Sequence, residues 1–253
     1  MRELEPMPLL STPSRWSRKL LPVLLRTLLP SNCALCGAVQ DAAVCPACSL
    51  AYATGRRARC PCCANPSGPM DAGRPCGACL AEAPSFDATV AACDYVAPLD
   101  GLVLGLKFGA RLALAPWMAQ QLHAAAVRDG GALPALLCPV PLSPRRLRER
   151  GYNQALEVAR PLGAALGIAV AARLVDRVID TAAQSGVTPG ERRRNVRGAF
   201  ALADGQPPLA GVHVGVVDDV MTSGHTLDEL AGVLKQAGAA RVTNFVFART
   251  PPH

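Results

Sequence analysis

The sequence has few aromatic residues and no uninterrupted hydrophobic run long enough to cross a membrane. Phenylalanine, tyrosine and tryptophan make up 4% of the 253 residues, which leaves little for stacking against single-stranded bases. The apolar segment LLPVLLRTLLP is interrupted by Arg26, bracketed by Pro22 and Pro30, and too short for a bilayer. No small-residue cleavage site follows it. We therefore expect no integral membrane span and a cytoplasmic protein.

The first 31 residues are predicted to be peripheral to the main fold. Residues 1–13 carry scattered polar residues and prolines without a hydrophobic period, so we expect them to be mobile. We interpret Trp16 to Leu29 as an amphipathic helix that packs on the body of the protein. A helix lying on a membrane surface is the alternative.

The bulk composition indicates an ordered protein and suits an α/β fold. Half of the residues are hydrophobic, which excludes disorder over most of the length. Frequent alanine and glycine suit close-packed helices over a parallel sheet. The net charge of +7 is compatible with nucleic acid, phosphorylated small molecules or acidic proteins, and selects none of them.

Cysteine is the most informative residue type. Nine of the eleven cysteines lie between Cys33 and Cys79, in a stretch with few large apolar side chains that needs a metal to hold it. Four Cys-x-x-Cys pairs supply ligands for two structural zinc ions, with an iron–sulfur cluster as the alternative. The eight predicted ligands are Cys33, Cys36, Cys45, Cys48, Cys60, Cys63, Cys76 and Cys79.

The spacing leaves open which pairs share an ion. Neighbouring pairs (first with second, third with fourth) and interleaved pairs (first with third, second with fourth) both complete a four-thiolate site. Cys62 is interpreted as a spare cysteine, and Cys93 and Cys138 as small buried residues on strands.

From residue 84 onward, short apolar runs alternate with helical patterns. The predicted strands are 88–96, 136–140, 214–217 and 242–248, and the predicted helices are 112–128, 153–166 and 226–236. This alternation predicts a parallel, Rossmann-like sheet flanked by helices, with ligands at the carboxyl ends of the strands. We therefore divide the chain into an N-terminal segment (1–31), a Cys-rich zinc module (32–83) and an α/β domain (84–253).

The segment VVDDVMTSGHT (216–226) has the residue pattern of a phosphate-binding site. An apolar strand runs into Asp218 and Asp219, followed by a short hydroxyl-rich loop and a helix. Backbone N–H groups at the helix start and the loop hydroxyls suit a phosphate monoester, while the two aspartates suit ribose hydroxyls or hydrated Mg²⁺. The predicted phosphate-binding residues are Thr222, Ser223, Gly224, His225 and Thr226.

Two further segments carry clustered basic residues. PVPLSPRRLRERGYNQA (139–155) is a second strand–loop–helix unit, whose arginine-rich loop suits pyrophosphate. Its candidate residues are Arg145, Arg146, Arg150, Gly151 and Tyr152. The long connection 177–200 is expected to hold a flexible loop with the candidates Gln184, Arg193, Arg194 and Asn195. Lys107, in a predicted glycine-bearing turn, is a weaker candidate.

The acidic pair and its loop resemble the signature of the type I phosphoribosyltransferases. That resemblance implies the type I phosphoribosyltransferase fold, with the loop on the 5-phosphate of phosphoribosyl pyrophosphate and Asp218 and Asp219 as catalytic residues on its ribose. Mg²⁺ would accompany the substrate. Gly215 departs from the larger aliphatic residue that is usual in this strand, and we expect weaker packing there.

The order of the motifs resembles the ComF/GntX-like phosphoribosyltransferase family more narrowly. Cys-x-x-Cys pairs precede LKF, RRLRERGYNQA, RNVRGAF and VVDDVMTSG, and together they cover residues 33–250. Members are associated with DNA uptake during natural transformation. The resemblance implies single-stranded DNA and a competence helicase-type protein as partners, besides the phosphorylated ribose.

Three functions remain open from the sequence. The chain is a phosphoribosyltransferase with an unknown acceptor, a single-stranded-DNA-binding accessory protein without turnover, or a regulatory protein that senses a nucleotide. The intact aspartate pair favours ligand binding in the first and third hypotheses. Tyr152 and His225 are candidates for a general base only because they lie beside the loops.

Overall fold

The computed structural model describes residues 31–53, 57–180 and 196–252. The predicted N-terminal helix lies outside this range. So do the flexible-loop candidates Gln184, Arg193, Arg194 and Asn195, whose role stays a prediction.

The described elements alternate along the chain as the sequence predicts. In chain order the strands are β1 (Ser31–Asn32), β2 (Val39–Gln40), β3 (Ala88–Asp94), β4 (Leu136–Pro139), β5 (Ala169–Val170), β6 (Val175–Arg177), β7 (Phe200–Leu202), β8 (His213–Met221) and β9 (Arg241–Arg249). The helices are α1 (Pro46–Tyr52), α2 (Gly77–Ala81), α3 (Leu99–Phe108), α4 (Leu114–Asp129), α5 (Pro144–Arg150), α6 (Gln154–Leu166) and α7 (His225–Gln236), with a short 3₁₀ turn at Pro69–Asp71.

A five-stranded parallel sheet forms the centre of the fold. Its strand order is β3-β9-β8-β4-β5, and each neighbouring pair is parallel. Parallel strands place their carboxyl ends at one edge of the sheet, so β8 and β4 present their following segments side by side. The prediction of a parallel sheet flanked by helices, with a Cys-rich module before it, is confirmed.

The two faces of the sheet are covered by different elements. One hydrophobic cluster combines α3, α4 and α6 with Phe245 and Phe247 of β9. The other combines α7 and the β6–β7 hairpin with Val214 and Val216 of β8. Alternate residues of a strand point to opposite faces, so this division follows directly from the strand sequence.

The cysteine-rich segment divides between the same two faces. Cys33, Val44 and Cys48 join the first cluster, where the Trp117 Nε1–H of α4 donates to Ser49 Oγ at 2.6 Å. Cys60 and Cys63 join the second cluster. Pro61, which follows Cys60, accepts a hydrogen bond from Thr89 N–H of β3 at 3.1 Å. Each half of the module therefore extends the core on its own side of the sheet.

Several local predictions need correction. β8 continues to Met221, so Asp218 and Asp219 lie within the strand rather than after it. The arginine-rich segment 144–150 is helix α5 rather than a loop, because Ser143 caps it and Pro144 begins it. Lys107 lies within helix α3, near its C-terminal end, rather than in a glycine-bearing turn between elements.

Gly215 is the fourth correction, since it marks tight packing rather than weak packing. A Cβ at this position would lie 2.7 Å from Leu137 Cδ2, 2.7 Å from Pro134 Cγ and 3.0 Å from Phe245 Cε2. Side chains from both neighbouring strands therefore fill the space that a larger residue would need.

Candidate ligand site and metal centres

The two adjacent aspartates are buried near the carboxyl end of β8. Asp218 is 9% exposed and Asp219 is 2% exposed. Successive strand residues point to opposite faces, so the two carboxylates serve different sides of the sheet. Burial raises the pKa of Asp218 well above its usual range, and the charge of Asp219 adds to the rise while Lys107 opposes it.

Lys107 is the ionic partner of Asp219. Its Nζ lies 2.8 Å from Asp219 Oδ2, and its side chain is 26% exposed. Burial lowers the pKa of Lys107, but Asp219 and Asp218 raise it, and the net shift is upward. The ammonium therefore stays charged at neutral pH and balances one of the two carboxylates.

The loop after β8 ends at an uncapped helix start. Gly224 has φ +85° and precedes α7, and no side chain within the described residues caps that end. The first backbone N–H groups of α7 are therefore available to an anion, with the positive end of the helix dipole behind them. Thr222 and Ser223 are exposed, and Ser223 Oγ lies 3.2 Å from His225 Nδ1.

The predicted pyrophosphate segment adjoins this site but is partly engaged. Arg145 pairs with Asp180, whose Oδ1 accepts from Ser143 Oγ–H at 2.7 Å. Arg150 lies over the Phe108 ring at 5.4 Å and donates to Gln154, while Gly151 ends α5 with φ +82°.

Tyr152 contacts α3 through its hydroxyl group. Its hydroxyl donates to the carbonyl of Leu106, next to Lys107. The segment 150–153 (RGYN) therefore packs against the end of α3 that carries Lys107.

Two arginines that the sequence reasoning missed complete the surroundings. Arg177, at the end of β6, is half-buried; burial lowers its pKa, the charge of Arg146 adds to the fall, and Asp218 opposes it. Arg146 and Asp218 therefore both act electrostatically on Arg177. Arg249, at the end of β9, is buried and donates to the carbonyls of Met221 and Thr222. Neither belongs to a recognisable motif, and only the folded sheet brings them to the loop.

The eight predicted metal ligands form two separate clusters. One comprises Cys33, Cys36, Cys45 and Cys48, and the other comprises Cys60, Cys63, Cys76 and Cys79. Within each cluster all sulfurs lie within 4.8 Å of one another. Neighbouring pairs therefore share a site, and the interleaved arrangement is excluded. Cys62 lies outside both clusters, and Cys93 and Cys138 are buried, as the sequence predicts.

The sulfur separations fit one tetrahedral ion in each cluster. Zn–S bonds of about 2.3 Å place sulfurs about 3.8 Å apart in a tetrahedron. The Cys36–Cys45 and Cys63–Cys76 separations are 3.8 Å and 3.6 Å. An iron–sulfur cluster would spread its ligands over several irons and hold the sulfurs further apart. We refer to the first cluster as site 1 and to the second as site 2.

Backbone N–H groups support the sulfurs in both sites. Cys45 N–H donates to Cys33 Sγ at 3.3 Å, and Cys76 N–H donates to Cys60 Sγ at 3.2 Å. Burial alone would raise the pKa of both thiols, but the N–H donors lower it to about 6 for Cys33 and about 7 for Cys60. The thiolate form, which is the form that binds a metal ion, is therefore favoured at these two positions.

Comparison with known proteins agrees with this architecture. Residues 24–80 match the double zinc ribbon domain. DNA utilization protein YhgH of Salmonella typhi is 36% identical over 229 residues, which cover 88% of this chain and 98% of that protein. Competence protein F of Haemophilus influenzae is 35% identical over 179 residues, which cover 69% of this chain and 78% of that protein.

A solved hypoxanthine phosphoribosyltransferase from Staphylococcus aureus is 12% identical to this chain, with a TM-score of 0.34. The match covers 56% of this chain and 76% of the Staphylococcus aureus chain. No helix in the described ranges is long and apolar enough to span a membrane. With more than a third of the residues identical over nearly the whole of a curated relative, the chain belongs to the family of DNA utilization protein YhgH and Competence protein F, and it carries a double zinc ribbon.

Proposed function

We propose that this chain binds phosphoribosyl pyrophosphate, or a related phosphorylated ribose, at the carboxyl end of β8. One observation carries the proposal: a buried acidic pair near the end of β8 and an uncapped helix start are joined by a loop of only three residues, 222–224. An anion would accept hydrogen bonds from the N–H groups at the start of α7. The ribose hydroxyls would donate hydrogen bonds to the carboxylates of Asp218 and Asp219. The motif resemblance to type I phosphoribosyltransferases supports the same assignment.

The site also has the groups that a pyrophosphate and its metal need. Carboxylate oxygens of Asp218 and Asp219 are the hard ligands that Mg²⁺ prefers, directly or through water. Mg²⁺ would neutralise charge on the pyrophosphate when it is bound. Arg146 and Arg177 lie on the Asp218 side and add positive charge.

Transfer would proceed at C1 of the ribose. The bond from C1 to the pyrophosphate oxygen breaks and its electron pair leaves with pyrophosphate, while an acceptor atom adds to C1 and loses its proton. The basic residues around the leaving group stabilise the developing charge. The acceptor class is not specified by any side chain named above, so binding is the first activity to test.

Isothermal titration of phosphoribosyl pyrophosphate with Mg²⁺ into zinc-loaded protein tests the proposal. We expect micromolar affinity in the wild type and a loss of at least about 100-fold in Asp218→Asn/Asp219→Asn, roughly 2.7 kcal/mol. Asp204→Asn, at an exposed turn remote from the pair, is the matched control and should bind like wild type. Absence of heat from folded wild type at millimolar ligand would refute the proposal.

Binding of single-stranded DNA is a second candidate, favoured by a different surface. A cleft of about 840 Å³ lies at the amino ends of β3 and β9, away from the aspartates. Four arginines and one aspartate, Asp129, line it; Arg57 and Arg59 also pair with Asp94, and the net positive charge that is left favours a phosphate backbone. The arginines are Arg57, Arg59, Arg128 and Arg241. The names of the relatives, DNA utilization protein and Competence protein F, are compatible with such a ligand.

Fluorescence anisotropy with a labelled oligothymidine tests this second candidate. Affinity should fall steeply with salt, and Arg57→Gln/Arg241→Gln should weaken binding and reduce the salt slope by about two. Arg145→Gln/Arg146→Gln is the comparison on α5. If only the α5 variant loses binding, the cleft is not the DNA site.

A further inference from the structure

Arg249 makes an unusual set of contacts for a buried charged side chain. It is 6% exposed, and its guanidinium donates to four main-chain carbonyls: Cys63 at 2.9 Å, Met221 at 3.1 Å, Thr250 at 2.7 Å, and Thr222. No carboxylate in the described ranges forms an ion pair with it. A buried guanidinium without a carboxylate needs another source of negative potential.

Three of the four carbonyls belong to two functional segments. Cys63 is a ligand of site 2, while Met221 and Thr222 are the end of β8 and the first residue of the phosphate loop. A tetrathiolate zinc site carries a formal charge of about −2, which provides the missing counter-charge beside Arg249. One side chain therefore joins the second zinc site to the ligand loop.

A second connection runs between the same two regions. The segment that leaves site 2 carries Ser85, whose N–H donates to Asp228 Oδ1 in the first turn of α7 at 2.6 Å. The buried Phe86 ring lies next to Gly224, with Cζ 4.0 Å from where a Cβ would stand. One end of the loop is therefore joined to site 2 through Arg249. The other end contacts residues that follow site 2 in the chain.

Site 1 lies on the opposite face of the sheet and makes no comparable contact with the loop among the residues that the structure describes. Cys33 and Cys48 pack in the cluster formed by α3, α4 and α6, and Ser49 is held by Trp117. The loop and α7 pack in the other cluster, which site 2 shares. The two metal sites are therefore chemically alike and positionally different, which makes site 1 a matched control for site 2.

We infer that Arg249 is a positioning residue through which the metal at site 2 holds the phosphate loop in its binding shape, while the metal at site 1 does not. Only the assumption that this loop binds a phosphorylated ribose rests on the proposed function. By linkage, a ligand that binds the ordered loop must also tighten zinc at site 2 by the same factor.

Hydrogen exchange of the loop tests the inference without any ligand. Amide exchange of residues 222–228 is compared by mass spectrometry in wild type, Arg249→Gln, Cys76→Ser/Cys79→Ser (site 2 emptied) and Cys33→Ser/Cys36→Ser (site 1 emptied). We expect loop exchange to be about 10-fold faster in Arg249→Gln and in the variant with site 2 emptied. In the variant with site 1 emptied, loop exchange should equal that of the wild type. Exchange of α4, on the site 1 face, should change only in the third.

Combining the changes separates coupling from a general loss of stability. If Arg249 transmits the effect, emptying site 2 in the Arg249→Gln background should add little, because the pathway is already broken. Loop exchange that is unchanged in Arg249→Gln, or raised equally by emptying either site, would overturn the inference. Should the site 2 variant fail to fold, the Arg249→Gln comparison alone decides.

Ligand titration then distinguishes this inference from the proposed function. Wild type should bind phosphoribosyl pyrophosphate with Mg²⁺ about 5- to 150-fold more tightly than Arg249→Gln, and the ligand should slow zinc release from site 2 to a chromogenic chelator. Absence of binding by wild type refutes the proposed function and leaves the exchange experiment to decide the role of Arg249. Equal affinity in wild type and Arg249→Gln refutes the inference alone.

Discussion

Asp218 and Asp219 are adjacent in the sequence but occupy different electrostatic environments. Asp219 is paired with Lys107 at 2.8 Å, whereas Asp218 lies on the side of Arg146 and Arg177 and holds a raised pKa because it is buried beside a like charge. Lys107 balances the charge of Asp219, so ionisation of Asp218 adds a second buried negative charge beside the first. Such a site is costly to the folded protein and ready for a cationic or hydroxylated ligand.

Asp218→Asn should stabilise the unliganded protein at neutral and alkaline pH. Because folding raises the pKa of this carboxyl from its ordinary 3.8, ionisation of Asp218 costs stability as pH rises from 3.8 toward the folded pKa. Asparagine removes that cost, so the free energy of unfolding should rise by about 1 kcal/mol at pH 8 and by less at pH 5. Urea unfolding at the two pH values measures it. A variant less stable than wild type at pH 8 would contradict the assigned cause.

Lys107→Met should destabilise the protein by leaving Asp219 buried without its cation. We expect a loss of about 2 kcal/mol, below the usual cost of breaking a buried pair because Lys107 is 26% exposed. Folding raises the pKa of Lys107, so its contribution is fully present below pH 10.5 and is lost as pH rises through the folded pKa. Guanidinium unfolding of both proteins from pH 7 to 11 checks this; a cost that stays constant to pH 11 would argue against the ion pair.

At the scale of the elements, local patterns predicted the sheet and missed the short helices. Apolar runs located β3, β4, β8 and β9 to within a few residues, because buried parallel strands are continuous and hydrophobic. Helix α5 was missed because seven residues rich in arginine carry no hydrophobic period, although Ser143-Pro144 was a readable start signal. The packing at Gly215 was misjudged because it depends on side chains of neighbouring strands.

Gly215→Ala should be destabilising, while Gly101→Ala should not. The new methyl group at 215 would lie within 3.0 Å of three side chains, and we expect a loss of about 1–3 kcal/mol. Gly101 is exposed in α3 with nothing within 4 Å of its Cβ position, so alanine there should add about 0.5–1 kcal/mol. Thermal unfolding of both variants gives the contrast. Equal effects would mean that β4 and β9 do not crowd this position.

At the scale of the whole molecule, the zinc ribbons and the α/β domain are interdependent. Each ribbon extends one hydrophobic cluster of the sheet, and residues that follow site 2 contact the start of α7. The sequence located all eight ligands because their spacing is local. It left the pairing open, and it gave no sign of Arg249, because those relations join residues far apart in the chain.

The pairing of the metal ligands has a stoichiometric test. Cys33→Ser/Cys48→Ser removes two ligands from site 1, so the protein should retain one zinc per chain. Cys33→Ser/Cys60→Ser damages both sites and should retain none. Interleaved pairing would reverse the two results. Zinc content is measured by atomic emission on dialysed, folded protein, with wild type expected to hold two.

The most direct test of the central claim is the position of the ligand itself. A crystal structure of the zinc-loaded protein with phosphoribosyl pyrophosphate and Mg²⁺ should show the 5-phosphate against the backbone of residues 222–226, with the ribose hydroxyls at Asp218 and Asp219. Ligand density at the arginine-lined cleft, or an empty loop at saturating ligand, would contradict the account.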